Sequence, residues 1–235
     1  MRFLRASLAV VSASCLLTLG GCFPANGVVD SEPLTFNSLM KSDLNMLAEV
    51  HQQQTLGYLE ELTGKLYRRN PRELHKVGGA TIDSRRQQLF SPLSATEEID
   101  EPDSGVAQLN QVFEEAYPGD RVFVLVAGLR DMVMTAYNNQ YEFYLLGAQL
   151  DPQKFYNSAR NVEILLWRLS RERQTNGQPW LLTNAVGVPV NLSYERLFGK
   201  LIAQLDMMAL MVAHQRNMRI KNVVRRVATT VFLPV

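Results

Sequence analysis

Eight consecutive apolar residues, Val122-Phe-Val-Leu-Val-Ala-Gly-Leu129, restrict this chain more than any other stretch. A helix that is apolar around its whole circumference belongs inside a protein or inside a membrane. A span needs about 20 such residues, and Arg130 and Asp131 interrupt this run far too early. The run therefore predicts the central helix of a bundle. Asp120 stands where an N-cap belongs, and the helix is expected from Arg121 to Leu150.

Helical spacing recurs through most of the chain. Met40, Leu44, Leu47, His51, Thr55, Leu59, Leu62 and Leu66 follow one another at steps of three or four, which predicts a helix from Ser38 to Arg69. Asn70-Pro71-Arg72-Glu73 has N-cap, N1 and N3 residues in the expected order for a short second helix, ended by Gly78-Gly79. Residues 80–104 keep no period and carry Glu97, Glu98, Asp100, Glu101 and Asp103, so a flexible acidic loop is expected there. Further helices are expected over Gly105–Tyr117, from Asp151-Pro152 to about Thr175, and from Asn191 or Ser193 to Gln215. The stretch from Leu201 to Ala213 is so apolar that its helix is expected to be central too. Ile220, Val223, Val224, Val227, Ala228, Val231 and Phe232 form one stripe, predicting a final amphipathic helix from Arg216 to Phe232. The fold class is an all-α bundle of about five to seven helices with two largely buried central helices, in a single domain over residues 38–235.

Polar residues inside these helices need partners. Arg130, Asp131, Glu142, Arg160, Asn161, Glu163 and Asp206 are expected in buried pairs or networks, because an unpaired buried charge is costly. Gly128, Gly147 and Gly199 each weaken a helix by about 1 kcal/mol relative to Ala, for which close helix–helix approach would compensate. Trp180, beside Leu181 and Leu182, is either a plug over the core or an interface anchor.

Catalytic patterns are sparse. His51, His75 and His214 fall on separate helices without the His-Glu-x-x-His or Glu-x-x-His spacing of metal sites. Ser158 and Ser170 lack a Gly-x-Ser-x-Gly context. Neither metal nor cofactor is expected.

The N-terminus carries Arg2 and Arg5, an apolar run from Leu8 to Leu19, and then Leu19-Gly20-Gly21-Cys22. A positive segment before a short apolar one makes a secretory signal. With small residues and a cysteine in register, this segment resembles a bacterial lipoprotein signal peptide with its lipobox. The resemblance covers residues 1–22 only. It implies cleavage before Cys22, acylation of the Cys22 thiol and amino group, and a membrane anchor; Phe23 rather than Asp after the cysteine implies the outer membrane, facing the periplasm. Residues 22–37 would be a lipidated tether; the 14 residues 23–36 reach at most about 50 Å. Cys15 leaves with the signal, so the mature body holds no free thiol and no disulfide. Loss of Arg2 and Arg5 lowers the 24 basic residues to 22 against 23 acids, a formal charge of about −1, so no overall basic field recruits nucleic acid.

The basic residues Arg216, Arg219, Lys221, Arg225 and Arg226 cluster late in the chain. With Trp180 they are the candidate surface for a protein partner or lipid headgroups, against the alternative of a solvated or acid-paired face. The expected role is non-catalytic: a lipid-anchored scaffold or interaction partner for an envelope protein. A second reading is a helical module holding a small ligand or lipid among the Met-rich stretches Met132–Tyr144 and Met207–Met211; an envelope hydrolase has least support. Cells fed labelled palmitate are expected to label this chain and to lose the label, the processing and the membrane fractionation with Cys22→Ser; an unlabelled wild-type chain contradicts the anchor.

Overall fold

A computed structural model describes residues 43–91, 104–143, 150–184, 191–216, 219–220 and 231–235. The architecture is all-α: α1 (Asp43–Arg69), α2 (Pro71–His75), α3 (Ile82–Phe90), α4 (Ser104–Gln111), α5 (Arg121–Ala136), α6 (Pro152–Arg171) and α7 (Ser193–Gln215), with no strand among the described residues.

Helix α5 is the hub. All its residues except Phe123, Ala127 and Thr135 are buried, and α1, α2, α3, α4 and α6 all pack on it. Asp120 caps it as expected: Oδ1 accepts from the Phe123 amide at 3.0 Å. Gly128 shows the close approach expected of it. A Cβ there would lie 2.8 Å from the Gly105 carbonyl oxygen, and a Cβ on Gly105 would lie 2.7 Å from the Met132 nitrogen. Two glycines thus let the backbones of α4 and α5 touch. Gly199 is different, with open space around it, and Gly147 lies outside the described residues.

Helix α5 ends at Ala136, not at Leu150. Asn138 and Asn139 both take left-handed backbone angles, φ 55° and 56°. Asparagine tolerates that region better than most residues, and two in succession end the helix. The Asn139 amide turns back to the Met134 carbonyl at 2.8 Å. Residues 144–149 lie outside the description.

The expected loop at 80–104 begins instead with α3. Thr81 and Ser84 form a reciprocal capping box, the Ser84 amide reaching Thr81 Oγ1 at 3.0 Å and the Thr81 amide reaching Ser84 Oγ at 2.9 Å. The helix has little apolar pattern because it buries only Arg85 and Leu89. The acidic cluster from Glu97 to Asp103 is outside the described residues.

Of the two helices expected to be central, α7 is buried along one stripe only. Phe198, Leu201, Leu205, Met208 and Val212 face the core, while Met207 and Leu210 stay 51% and 62% exposed. Its most extensive packing is on α6. It is also the one described helix long and apolar enough to cross a membrane; here its apolar stripe is spent on α6 and α1. Two contacts fix α7 antiparallel to α1: Tyr194 hydroxyl to the Lys65 carbonyl at 2.8 Å, and Lys200 Nζ 4.8 Å from the centre of the Tyr58 ring.

Two buried asparagines hold irregular chain against helices. Asn161 on α6 accepts from the Leu233 amide at 2.6 Å and donates to the Leu233 carbonyl at 2.8 Å. Asn70 does the same to Leu182, at 2.7 and 2.9 Å. Asn70 therefore makes no side-chain cap for α2, contrary to the capping pattern in its sequence. The clasp outweighs the cap because a buried backbone segment must have its polar groups satisfied.

Replacing Gly105 by Ala is expected to destabilise the protein by about 1–3 kcal/mol, despite the higher helix propensity of Ala, since both nearest atoms are backbone and cannot give way. Urea unfolding measures this; an unchanged or raised stability contradicts the α4–α5 contact.

Candidate functional site

The last two turns of α1 carry Lys65, Arg68 and Arg69. Opposite them the Asn70–Leu182 clasp fixes the chain at Thr183, and the start of α7 brings Asn191, Ser193 and Tyr194. Together these residues line an open cleft of about 310 Å³. Lys65 pairs with Glu61 at 3.2 Å; Arg68 and Arg69 have no ion pair among the described residues. No side chain caps α7 at Leu192. The Ser193 amide donates to Asn191 Oδ1 at 3.0 Å, and the Glu195 carboxylate is engaged by Asn184 Nδ2 at 2.8 Å. Burial pushes the Tyr194 phenol above its ordinary pKa, with Arg69 and Arg68 pulling in the other direction.

Of the surface residues singled out from sequence, Arg216, Arg219 and Trp180 fall among the described residues. Arg216 is half-buried and donates from Nη1 to the Leu150 carbonyl at 2.6 Å, stapling the end of α7 to the start of α6. Arg219 is exposed and non-helical; Lys221, Arg225, Arg226 and Cys22 lie outside the described residues. The helix expected from Arg216 to Phe232 is likewise absent from its described parts. Instead Phe232 and Leu233 are buried in an irregular tail. Trp180 is 7% exposed, edge-on to Phe113 at 6.1 Å, with the Arg121 guanidinium 5.3 Å from its ring. It is the plug, not an exposed anchor.

His51 is half-buried, and its Nδ1 meets no hydrogen-bond partner; His75 and His214 are exposed. Among the described residues no three His, Cys, Asp or Glu side chains lie close enough to hold a metal ion. Met132 and Met134 are packed core residues, with the Asn161 and Gln52 amides on their sulfurs at 3.5 and 3.6 Å.

The expected buried polar pairs form in part: Arg130, Asp131 and Asn161 are buried, while Arg160, Glu163 and Asp206 pair half-buried and Glu142 is exposed. Arg160 on α6 meets Asp206 on α7 at 2.8 Å and Glu163 at 3.0 Å. Asp131 accepts from Ser104, and Arg130 donates to the Tyr141 hydroxyl at 2.8 Å. The most enclosed junction was not legible in advance. Asp120 Oδ2 accepts from the Tyr67 hydroxyl at 2.7 Å and from Arg85 Nη2 at 3.0 Å, joining α1, α3 and the start of α5. Arg85 also stacks over Phe123, 4.1 Å from its ring centre. The missing signal was α3 itself, whose Thr81–Ser84 box was readable.

An apolar strip also faces outward. Met46, Leu47 and Val50 near the start of α1 are exposed, as are Met207 and Leu210 on α7. The antiparallel register sets the start of α1 level with the end of α7. Grouped exposed apolar residues mark interaction surfaces.

Neither a known family, nor a curated protein, nor a solved structure matches this chain; the site therefore stands on its own chemistry.

Burial, then the hydrogen bond and charge of Asp120, raise the Tyr67 phenol well above its ordinary pKa; burial does the same to Tyr137. In the unfolded chain both ionise near pH 10 (about), while in the folded chain they stay protonated. Their contribution is fully present below about pH 10 and falls above it, by up to about 1.4 kcal/mol per pH unit for each tyrosine. Tyr67→Phe is expected to flatten the alkaline decline of urea-unfolding stability; a decline parallel to wild type contradicts this assignment.

Proposed function

We propose that this chain is a lipid-anchored protein of the bacterial cell envelope, held through Cys22 at the periplasmic face of the outer membrane and acting by contact with an envelope protein rather than by catalysis. The observation that carries the reading is the sequence from Arg2 to Cys22, with charge, apolar run, small residues and cysteine in register.

The body supports it in two ways. Its most enclosed charged groups serve as helix-to-helix junctions: Asp120 with Arg85 and Tyr67, Asp131 with Ser104. A carboxylate already saturated by an arginine and a phenol is poorly placed to move protons for a substrate. The outward groups, by contrast, suit binding: Val50 and Leu210 are 61% and 62% exposed, in a strip near the point where the tether sequence enters α1.

Crosslinking in membranes followed by pulldown tests the proposal. A discrete envelope protein is expected with wild type, reduced at least severalfold by Val50→Glu with Leu210→Glu while the helical circular dichroism is kept. Equal recovery with the double variant, or no partner, overturns the contact reading. Native mass spectrometry of the Cys22→Ser chain separates the alternative of a ligand carrier, which alone predicts a retained lipid mass.

A further inference from the structure

The cleft at the end of α1 concentrates positive charge in a body whose formal charge is close to zero. Arg68 and Arg69 have no ion pair among the described residues; Glu61 pairs with Lys65, and Glu195 accepts from the Asn184 amide. Arginines in the last turn of a helix do complement its dipole, but that role needs neither a cleft nor hydroxyl groups across from it.

We propose that this cleft binds a phosphate group. The guanidinium fork matches two phosphate oxygens at once, and arginine keeps its charge at any physiological pH. Thr183 and Ser193 supply hydroxyl donors, neither engaged by another described residue. The start of α7 adds the positive end of a 23-residue helix with no side-chain cap from Leu192; Asn191 Oδ1 takes the Ser193 amide, and the dipole of the helix still favours an anion there. Both walls are set in advance: Tyr194 is tied to the Lys65 carbonyl, and Leu182, next to Thr183, is clasped by Asn70. The ordering left to oppose binding is mainly that of the exposed Arg68 and Arg69 side chains. A volume of about 310 Å³ leaves room for the group that carries the phosphate.

Two sources offer this chemistry, a soluble phosphate compound and a phospholipid headgroup. The cleft lies at the far end of α1 from Asp43, and 27 helical residues extend about 40 Å. The tether sequence joins the other end, which favours the soluble source. Phosphate binding here holds whether or not Cys22 is acylated.

The test uses the full chain with Cys22→Ser, so that no acyl group contributes. Inorganic phosphate is titrated at constant ionic strength against chloride, with amide chemical shifts as the readout. Saturable shifts at Thr183, Ser193 and Tyr194 are expected, stronger at pH 8 than at pH 6 as the dianion forms. Arg68→Gln with Arg69→Gln is expected to weaken binding at least tenfold, and so is Thr183→Glu, which puts an acid in the cleft without touching the arginines. Vesicles of phosphatidylglycerol in phosphatidylcholine form the second arm. Binding of phosphate without vesicle co-sedimentation assigns the soluble source; co-sedimentation lost with the same variants assigns the headgroup. No saturable shift in either arm, or binding that neither variant weakens, overturns the proposal.

Discussion

A helix apolar on every side has to be covered on every side, and the arrangement around α5 follows from that requirement. Its flanks are taken by α1, α3, α4 and α6, with α4 pressed close enough for Gly105 and Gly128 to meet backbone to backbone. Its ends then pose a second problem, because charged residues are buried there. At the start, Arg121 reaches the Val112 and Glu114 carbonyls at 3.1 and 2.6 Å, its amide donates to Glu73, and Asp120 gathers Tyr67 and Arg85. At the other end, Asp131 and Arg130 find Ser104 and Tyr141. Burying these charges unpaired would cost several kcal/mol each. The pairing partners come from separate elements, so satisfying α5 also fixes where those elements sit.

The irregular segments are held by a different device used twice. A side-chain amide carries both N–H donors and a carbonyl acceptor, so it can match the one donor and one acceptor that a backbone residue offers. Asn161 and Asn70 exploit this to pair with both polar groups of Leu233 and Leu182. The first clasp lays the C-terminal tail, with buried Phe232 and Leu233, along α6. The second sets the wall of the cationic cleft. Chain without secondary structure is thereby given the hydrogen bonds that a helix would provide.

Much of this was readable and some was not, for identifiable reasons. The apolar run from Val122, the cap at Asp120, Asp151-Pro152 before α6 and the glycine at 128 each act through neighbours in sequence, and each stands as expected. Helix α3 escaped because it buries an arginine more than an apolar stripe. The end of α5 escaped because Asn138-Asn139 looked helical among apolar neighbours. Asn70 has the sequence context of a cap, and the partner that claims its side chain lies 112 positions away. The cleft shares that obstacle: Arg68 and Arg69 read as an ordinary helix end until Thr183 and Ser193 are brought opposite them. Of the expected basic face at Arg216–Arg226, Arg216 is a staple between helices, and Lys221, Arg225 and Arg226 lie outside the described residues.

The proposed contact surface and the proposed phosphate site lie at opposite ends of α1, and the rigidity that holds those ends apart is referred to α5. Native-state hydrogen exchange tests it most directly. Amides from Val124 to Val133 are predicted to exchange only with global unfolding, tracking its denaturant dependence, while α3 and the outer turns of α7 open locally at lower free energy. Exchange of the α5 amides as fast as those of α3, without denaturant dependence, would contradict a hub at α5.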